Sequence, residues 1–244
     1  MIQKIILWGL SLFDYSYQKK WINFLKKHKY NRFNLLIDIG AHKGESIKLF
    51  SKNFFIKKII SFEASPINFE YLKKKIEGNK KRYNNTEIVL ENTALGAEDK
   101  IIEFNQFNES SSSTIKEIDE ESKYYKRKFR LINFLNNKET YQKIKIKIFK
   151  LKDYIEKNNI KKIDFMKIDT EGYEFEILLG LENKIKLVDI IMFEHHYDNM
   201  IKKGYTFEDI NKLLIKNNFN KIYKSRMPFR KTFEYIYKRE ELIN

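Results

Sequence analysis

From Leu35 onward, short runs of apolar, β-branched residues alternate with segments whose apolar positions recur at helical spacing. That alternation predicts a mostly parallel sheet covered by helices on both faces. The first run, Leu35-Leu36-Ile37-Asp38-Ile39-Gly40, is apolar at nearly every position, as a strand buried on two faces must be. Ile47, Phe50 and Phe54 then repeat at i, i+3 and i+7 and predict a helix. A second strand is expected over Ile59–Glu63, with Ser65 placed to cap the next helix, Pro66 at its first position, and Phe69, Leu72 and Ile76 turned inward. A third strand over Glu87–Glu91 continues into Asn92-Thr93-Ala94-Leu95-Gly96, and Lys100–Phe104 adds an extra strand.

Further along, Ile163–Asp169 and Val188–Glu194 read as the fourth and fifth core strands. A short helix lies between them after Gly172, and Gly180 ends it. Thr206 and Asp209 open a helix that turns Ile210, Leu213 and Leu214 inward. Asn220–Ser225 and Thr232–Arg239 flank Pro228 and predict a closing antiparallel hairpin. The pattern weakens between Asn105 and Gln142, which holds Ser110–Ser113, the acidic Asp119-Glu120-Glu121, and then Lys126, Arg127, Lys128 and Arg130 among Tyr124, Tyr125 and Phe129. An insertion of that length on a compact fold is expected to act as a lid or substrate-binding element. Lys145, Lys147 and Lys150 interleave with Ile144, Ile146 and Ile148 and read as an exposed-edge strand.

Ile2–Phe13 is mostly apolar but falls short of the roughly 20 residues of a membrane span, and no small-residue cleavage site follows it. A helix packed on the domain is the first reading, and weak association with a membrane surface the second. The organisation expected is therefore an N-terminal helical segment, 1–34, and one domain, 35–244, with an insertion about 105–142.

A chain of 244 residues can bury one substantial core, and its 42% hydrophobic and 15% aromatic content fits a globular protein. The lack of cysteine excludes disulfides, thiolate metal sites and cysteine nucleophiles, and suits a cytoplasmic location. A net charge of +15 would concentrate anionic partners, although Lys, Ile, Asn, Phe and Tyr are abundant everywhere, which reads first as composition bias.

Ligands of open α/β sheets sit outside the carboxyl ends of the strands, so the residues just after each strand carry the chemistry. Asp38-Ile39-Gly40-Ala41-His42-Lys43-Gly44-Glu45-Ser46 puts a carboxylate and two glycines at a strand-to-helix turn. Glu63 ends the next strand at the spacing where an acid meets ribose hydroxyls, and a carboxylate can accept from both hydroxyls of a diol. Lys167 lies inside a strand that should be buried, so it needs a carboxylate partner, and Asp169 is the natural one. After the fifth strand come Glu194, His195 and His196. His195 could take a proton from an acceptor hydroxyl, or Asp169, Glu194 and His195 could hold a divalent ion. Strand alternation separates Glu194 from His195 unless the strand ends there.

Five segments, in order and spacing, resemble the FkbM-type methyltransferase family. They are Asp38-Ile39-Gly40-Ala41-His42-Lys43-Gly44-Glu45, Ser61 to Phe69, Asn92 to Gly96, Leu151-Lys152-Asp153-Tyr154, and Lys167 to Glu174. The resemblance implies a class I methyltransferase Rossmann-like fold, with a mostly parallel seven-stranded sheet, helices on both faces and an inserted lid segment. It implies S-adenosylmethionine as cofactor. Asp38, Gly40 and Gly44 would border its methionine part, Glu63 its ribose, and Asn92, Thr93 and Ala94 its adenine side, with Ala41, Glu45, Ser46, Ala64, Asp169 and Glu171 also in contact with the cofactor, while Lys167, Asp169 and Glu171 would organise the reaction end. This chain has Glu63-Ala64 where the family has Glu-Pro.

The activity so implied is O-methylation of a sugar, a nucleotide-linked sugar or a polysaccharide precursor, with an anionic acceptor expected from the charge. His195 or Asp169 would remove the proton. An RNA-directed methyltransferase is the rival reading, motivated by Lys126–Arg130, and a cofactor-binding module without turnover is a third. The amino-methylating Asn-Pro-Pro-Tyr motif cannot occur, because the only prolines are Pro66 and Pro228.

Overall fold

The computed structural model describes residues 17–107, 113–123, 125–126, 141–198, 200–228 and 230–240. The expectations for Ile2–Phe13 and for the basic run 127–130 lie outside them.

The central sheet has seven strands: β1 (Arg32–Ile39), β2 (Phe55–Phe62), β3 (Glu87–Glu91), β8 (Ile163–Ile168), β9 (Val188–His196), β11 (Phe219–Arg226) and β12 (Thr232–Arg239). Their order is β3-β2-β1-β8-β9-β12-β11. β12 alone runs antiparallel, wedged between β9 and β11, so the closing hairpin forms as the sequence predicts.

Residues 17–27 form helix α1, followed by α2 (Glu45–Asn53) and α3 (Pro66–Glu77). These cover one face, where Trp21, Leu25, Ile47, Phe50 and Leu72 pack on Leu36, Phe165 and Met192. On the other face lie α4 (Leu151–Lys157), α5 (Glu174–Leu179) and α6 (Phe207–Lys216), with Leu151, Ile177 and Leu214 against Ile37, Met166 and Ile191. The expected caps are present. Ser65 Oγ accepts from Asn68 N at 3.1 Å, and Thr206 and Asp209 form a reciprocal capping box. Among the described residues, no helix is long and apolar enough to cross a membrane.

After β3 the chain leaves the main sheet. β4 (Ala94–Gly96), β5 (Lys100–Phe107) and β7 (Tyr141–Lys150) form a second sheet of order β4-β7-β5, and β6 (Glu117–Ile118) pairs with β10 (Ile201–Lys202). β7, expected as an edge, is therefore the central strand of its sheet. Its lysines alternate because one face is wet, which periodicity cannot distinguish from an open edge.

Gly180 ends α5, though in ordinary right-handed conformation with φ −68°. Its glycine is needed for contact, since a Cβ there would lie 1.9 Å from the Gly96 carbonyl oxygen. Gly180→Ala is expected to cost ~3 kcal/mol through overpacking. The melting temperature should then fall by about 6 to 12 °C in a protein of this size, as a calorimetric scan would show.

Candidate active site

The strand order reverses between β1 and β8, and a crevice opens at the carboxyl ends of strands placed this way. A cavity of ≈ 350 Å³ occupies that position, within the range of small-molecule sites. Of the residues expected from sequence, Gly40, Ala41, Glu45, Ser46, Glu63, Ala64, Thr93, Ala94, Lys167, Asp169, Glu171 and Glu194 line it.

Gly40 brings the two strand tips together. Its φ is +82°, and a Cβ would fall 1.9 Å from the Asp169 carbonyl oxygen. The Gly40 and Ala41 amides both donate to Phe62 O, each at 3.0 Å, which locks the turn to β2. Next to it, the Glu63 carboxylate accepts from His42 N at 2.7 Å and from Ser65 N at 2.9 Å. Two amides fix its direction while lone pairs remain for a ligand. Burial pushes this carboxyl above its usual range, against the pull of the two amides.

Four expected residues stay out of the cavity wall. Asp38 is wholly buried behind it, and neither of its oxygens has a hydrogen-bond partner among the described residues. Burial raises it to about 6, against the opposing pull of Lys167. Gly44 is turned toward Leu72 and permits α2 to pack on α3. Asn92 donates to Glu63 O at 2.8 Å and so supports the strand end from behind.

The fourth, His195, corrects the sequence reading. β9 does not end at Glu194 but runs to His196, so alternation turns His195 to the opposite face of the sheet. There it packs against Tyr197, Tyr205 and Phe207 at ring distances of 4.8, 5.9 and 5.9 Å. Burial, aided by the charges of Lys203 and His196, pushes it down to about 3, so it is neutral. The proposed metal set Asp169, Glu194 and His195 is therefore not brought together, and among the described residues no group of three acids or histidines is placed to hold a metal. His196 occupies the Glu194 face instead, with Nε2 3.4 Å from Glu171 Oε2 and Nδ1 3.0 Å from Thr232 Oγ1.

The pairing expected for Lys167 forms, with Nζ 2.8 Å from Asp169 Oδ2. Burial disfavours both charges, yet each partner holds the other ionised: Lys167 is raised and Asp169 lowered. Glu194 and Glu234 stand opposite each other on β9 and β12, on the same face as this pair. Burial raises both carboxyls, that of Glu234 to about 8.

A carboxyl that binds its proton more tightly folded than unfolded stabilises the fold below the usual carboxylate range, and that stability is lost as pH rises toward about 8. Glu234→Gln removes the loss. Its melting temperature relative to the unaltered protein should climb by about 3 to 5 °C per pH unit between pH 5 and 8, measurable by scanning fluorimetry.

Sequence reasoning missed Tyr17, Gln18 and Trp21 on α1, Met227, Arg230 and Glu234 around β12, and Phe104, Ser113 and Ile115 from the second sheet and the insertion, all of which line the cavity. Glu234 carried a usable signal: a carboxylate inside the apolar run Thr232–Tyr237, as Lys167 is a lysine inside one.

The site fits S-adenosylmethionine. Phe62, Ala64, Leu95, Phe104 and Ile115 give apolar walls for a purine, and Glu63 offers an oriented acceptor for a ribose diol. Asn68 Oδ1 and Trp21 Nε1 are buried without hydrogen-bond partners among the described residues, in side chains that line the same space. Strand order, the single antiparallel strand and the position of the cavity define a class I S-adenosylmethionine-dependent methyltransferase fold.

A family model described as the methyltransferase FkbM domain matches residues 38–223. The chain belongs to the FkbM methyltransferase family. The FkbM methyltransferase of Methylobacillus flagellatus KT shares the fold with a TM-score of 0.52 at 14% identity, covering 84% of this chain and 43% of that one, so the chain spans less than half the length of that protein. Magnesium protoporphyrin IX methyltransferase of Synechocystis PCC 6803, solved with S-adenosylmethionine bound, also gives a TM-score of 0.52, at 10% identity over 94% of this chain and 81% of that one. No curated protein matches the chain by sequence.

Proposed function

We propose that the protein transfers a methyl group from S-adenosylmethionine to a hydroxyl oxygen of a sugar, a nucleotide-linked sugar or a polysaccharide precursor. The observation that carries this reading is one continuous cavity, lined by Glu63 at one end and the Lys167–Asp169 pair farther on, that continues past the pair to Glu194 and Glu234. Strands lie ~4.8 Å apart, so Glu63 at the end of β2 and Glu234 on β12 each sit ~10 Å to either side of β8. The two carboxyls therefore stand ~20 Å apart, at opposite ends of the cavity.

The cofactor supplies a methyl group on a sulfonium, which needs little activation, so the protein acts mainly by positioning. Glu63 accepts from the ribose hydroxyls. Lys167 keeps Asp169 ionised and fixes its direction at 2.8 Å. Asp169 would accept a hydrogen bond from the acceptor hydroxyl and would take its proton when the methyl group is transferred. An acid held this low is a weak base, which suffices where the attacked carbon already carries a good leaving group.

The test is incubation with S-adenosylmethionine carrying a labelled methyl group and a panel of nucleotide sugars. Label should enter the sugar, and Asp169→Asn should reduce transfer by about 10²-fold or more. Label entering RNA and none of the sugars would replace this reading with the nucleic-acid one.

A further inference from the structure

The far end of the cavity has a charge character opposite to that of the whole chain. The protein carries +15, yet among the described residues Asp169, Glu171, Glu194 and Glu234 line this end with only Lys167 and the exposed Arg230 as cations. Lys167 is already engaged by Asp169 at 2.8 Å. Glu234 is only 4% exposed, lines the cavity, and its Oε2 has no hydrogen-bond partner among the described residues. Tyr17 from α1 lines this end, with its hydroxyl 3.2 Å from Ser225 O. A buried acceptor atom left without a partner is costly, and it is expected to find one when a ligand binds.

From this we infer that Glu234 is a specificity residue for the acceptor, and that it receives an ammonium carried on the same ring as the hydroxyl to be methylated. The reacting ring is thus an amino sugar, and any phosphate or carboxylate of the acceptor stays outside, toward the basic surface. The inference rests on the methyltransferase reading and sharpens it.

Position supports this assignment. β12 lies two strands beyond β8, on the side away from Glu63, so a nucleoside held at Glu63 cannot also fill the space beside Glu234. Charge supports it too. Lys167 is engaged by Asp169 and Glu171 faces His196, which leaves Glu194 and Glu234 opposite each other with no cation of their own among the described residues; an ammonium would draw Glu234 into its ionised form, whereas an anion would add repulsion in a dry site. Such a site rejects by charge as well as by fit.

The experiment is calorimetric binding of glucosamine, glucose and glucuronic acid to the full chain saturated with S-adenosylhomocysteine. Glucosamine should bind at least tenfold more tightly than glucose, and glucuronic acid should not bind measurably. Glu234→Gln should remove the preference for glucosamine and leave affinity for S-adenosylhomocysteine within twofold.

Equal affinity for glucosamine and glucose, tighter binding of glucuronic acid, or binding of none of the three would overturn the inference. So would a Glu234→Gln protein whose loss falls on S-adenosylmethionine rather than on glucosamine, since Glu234 would then serve the sulfonium. The sugar series on the unaltered protein decides the matter even where the variant fails to fold. Failure of S-adenosylhomocysteine itself to bind would instead refute the methyltransferase reading.

Discussion

Glu63→Ala is expected to raise the dissociation constant for S-adenosylhomocysteine by at least 10²-fold, to the point where calorimetry detects no heat. The carboxylate is proposed to make two hydrogen bonds to the ribose diol, and bonds to a charged group contribute ~1.5–3 kcal/mol each. Losing both gives ~3–6 kcal/mol, and each 1.4 kcal/mol is tenfold. A second loss adds to the first. Glu63 also accepts from His42 N and Ser65 N, so its removal leaves two turn amides without their partner and loosens the loop that lines the cavity. Glu63→Gln separates the two effects: it retains one side-chain oxygen as an acceptor but places a donor where the other amide points. Unchanged affinity in Glu63→Ala would show that the ribose lies elsewhere.

Lys167→Met should be the most damaging single change to stability. Lys167 is the buried cation nearest to Asp38, Asp169 and Glu194, and replacing it leaves buried carboxylates uncompensated. Breaking a buried pair by removing one partner costs ~3–5 kcal/mol, or about 6 to 20 °C in melting temperature for a domain of this size. The pH dependence identifies the cause. Asp169 owes its lowered position to Lys167, so without the lysine its folded-state value rises and it takes up a proton more readily than in the unfolded chain. The deficit of the variant should therefore shrink as pH falls toward 5 and grow as pH rises. A deficit independent of pH would point to lost packing rather than lost charge.

Much of the fold could be read from the sequence because its signals are local. The apolar runs of β1, β2, β8 and β9, the Ser65 and Thr206 caps and the closing hairpin each depend on a few adjacent residues. That Gly40 and Glu63 line the cavity was legible for the same reason, since they sit at strand ends that the pattern locates. What failed depended on pairing between distant segments. Lys145 and Lys147 report one wet face, but only β4 and β5, from another part of the chain, make β7 central. His195 failed through an error of two residues in where β9 ends, and at period two the side a residue faces is decided by its parity alone. The wall supplied by Tyr17, Trp21 and Glu234 was hidden because it joins segments more than 200 residues apart, and no short window contains both.

The wedged strand also bears on how the protein is made. β12 is the last strand of the sheet to leave the ribosome, yet it pairs with β9, which emerged some 40 residues earlier. Until it arrives, β9 presents an unpaired edge to the cell, a template for pairing with other chains.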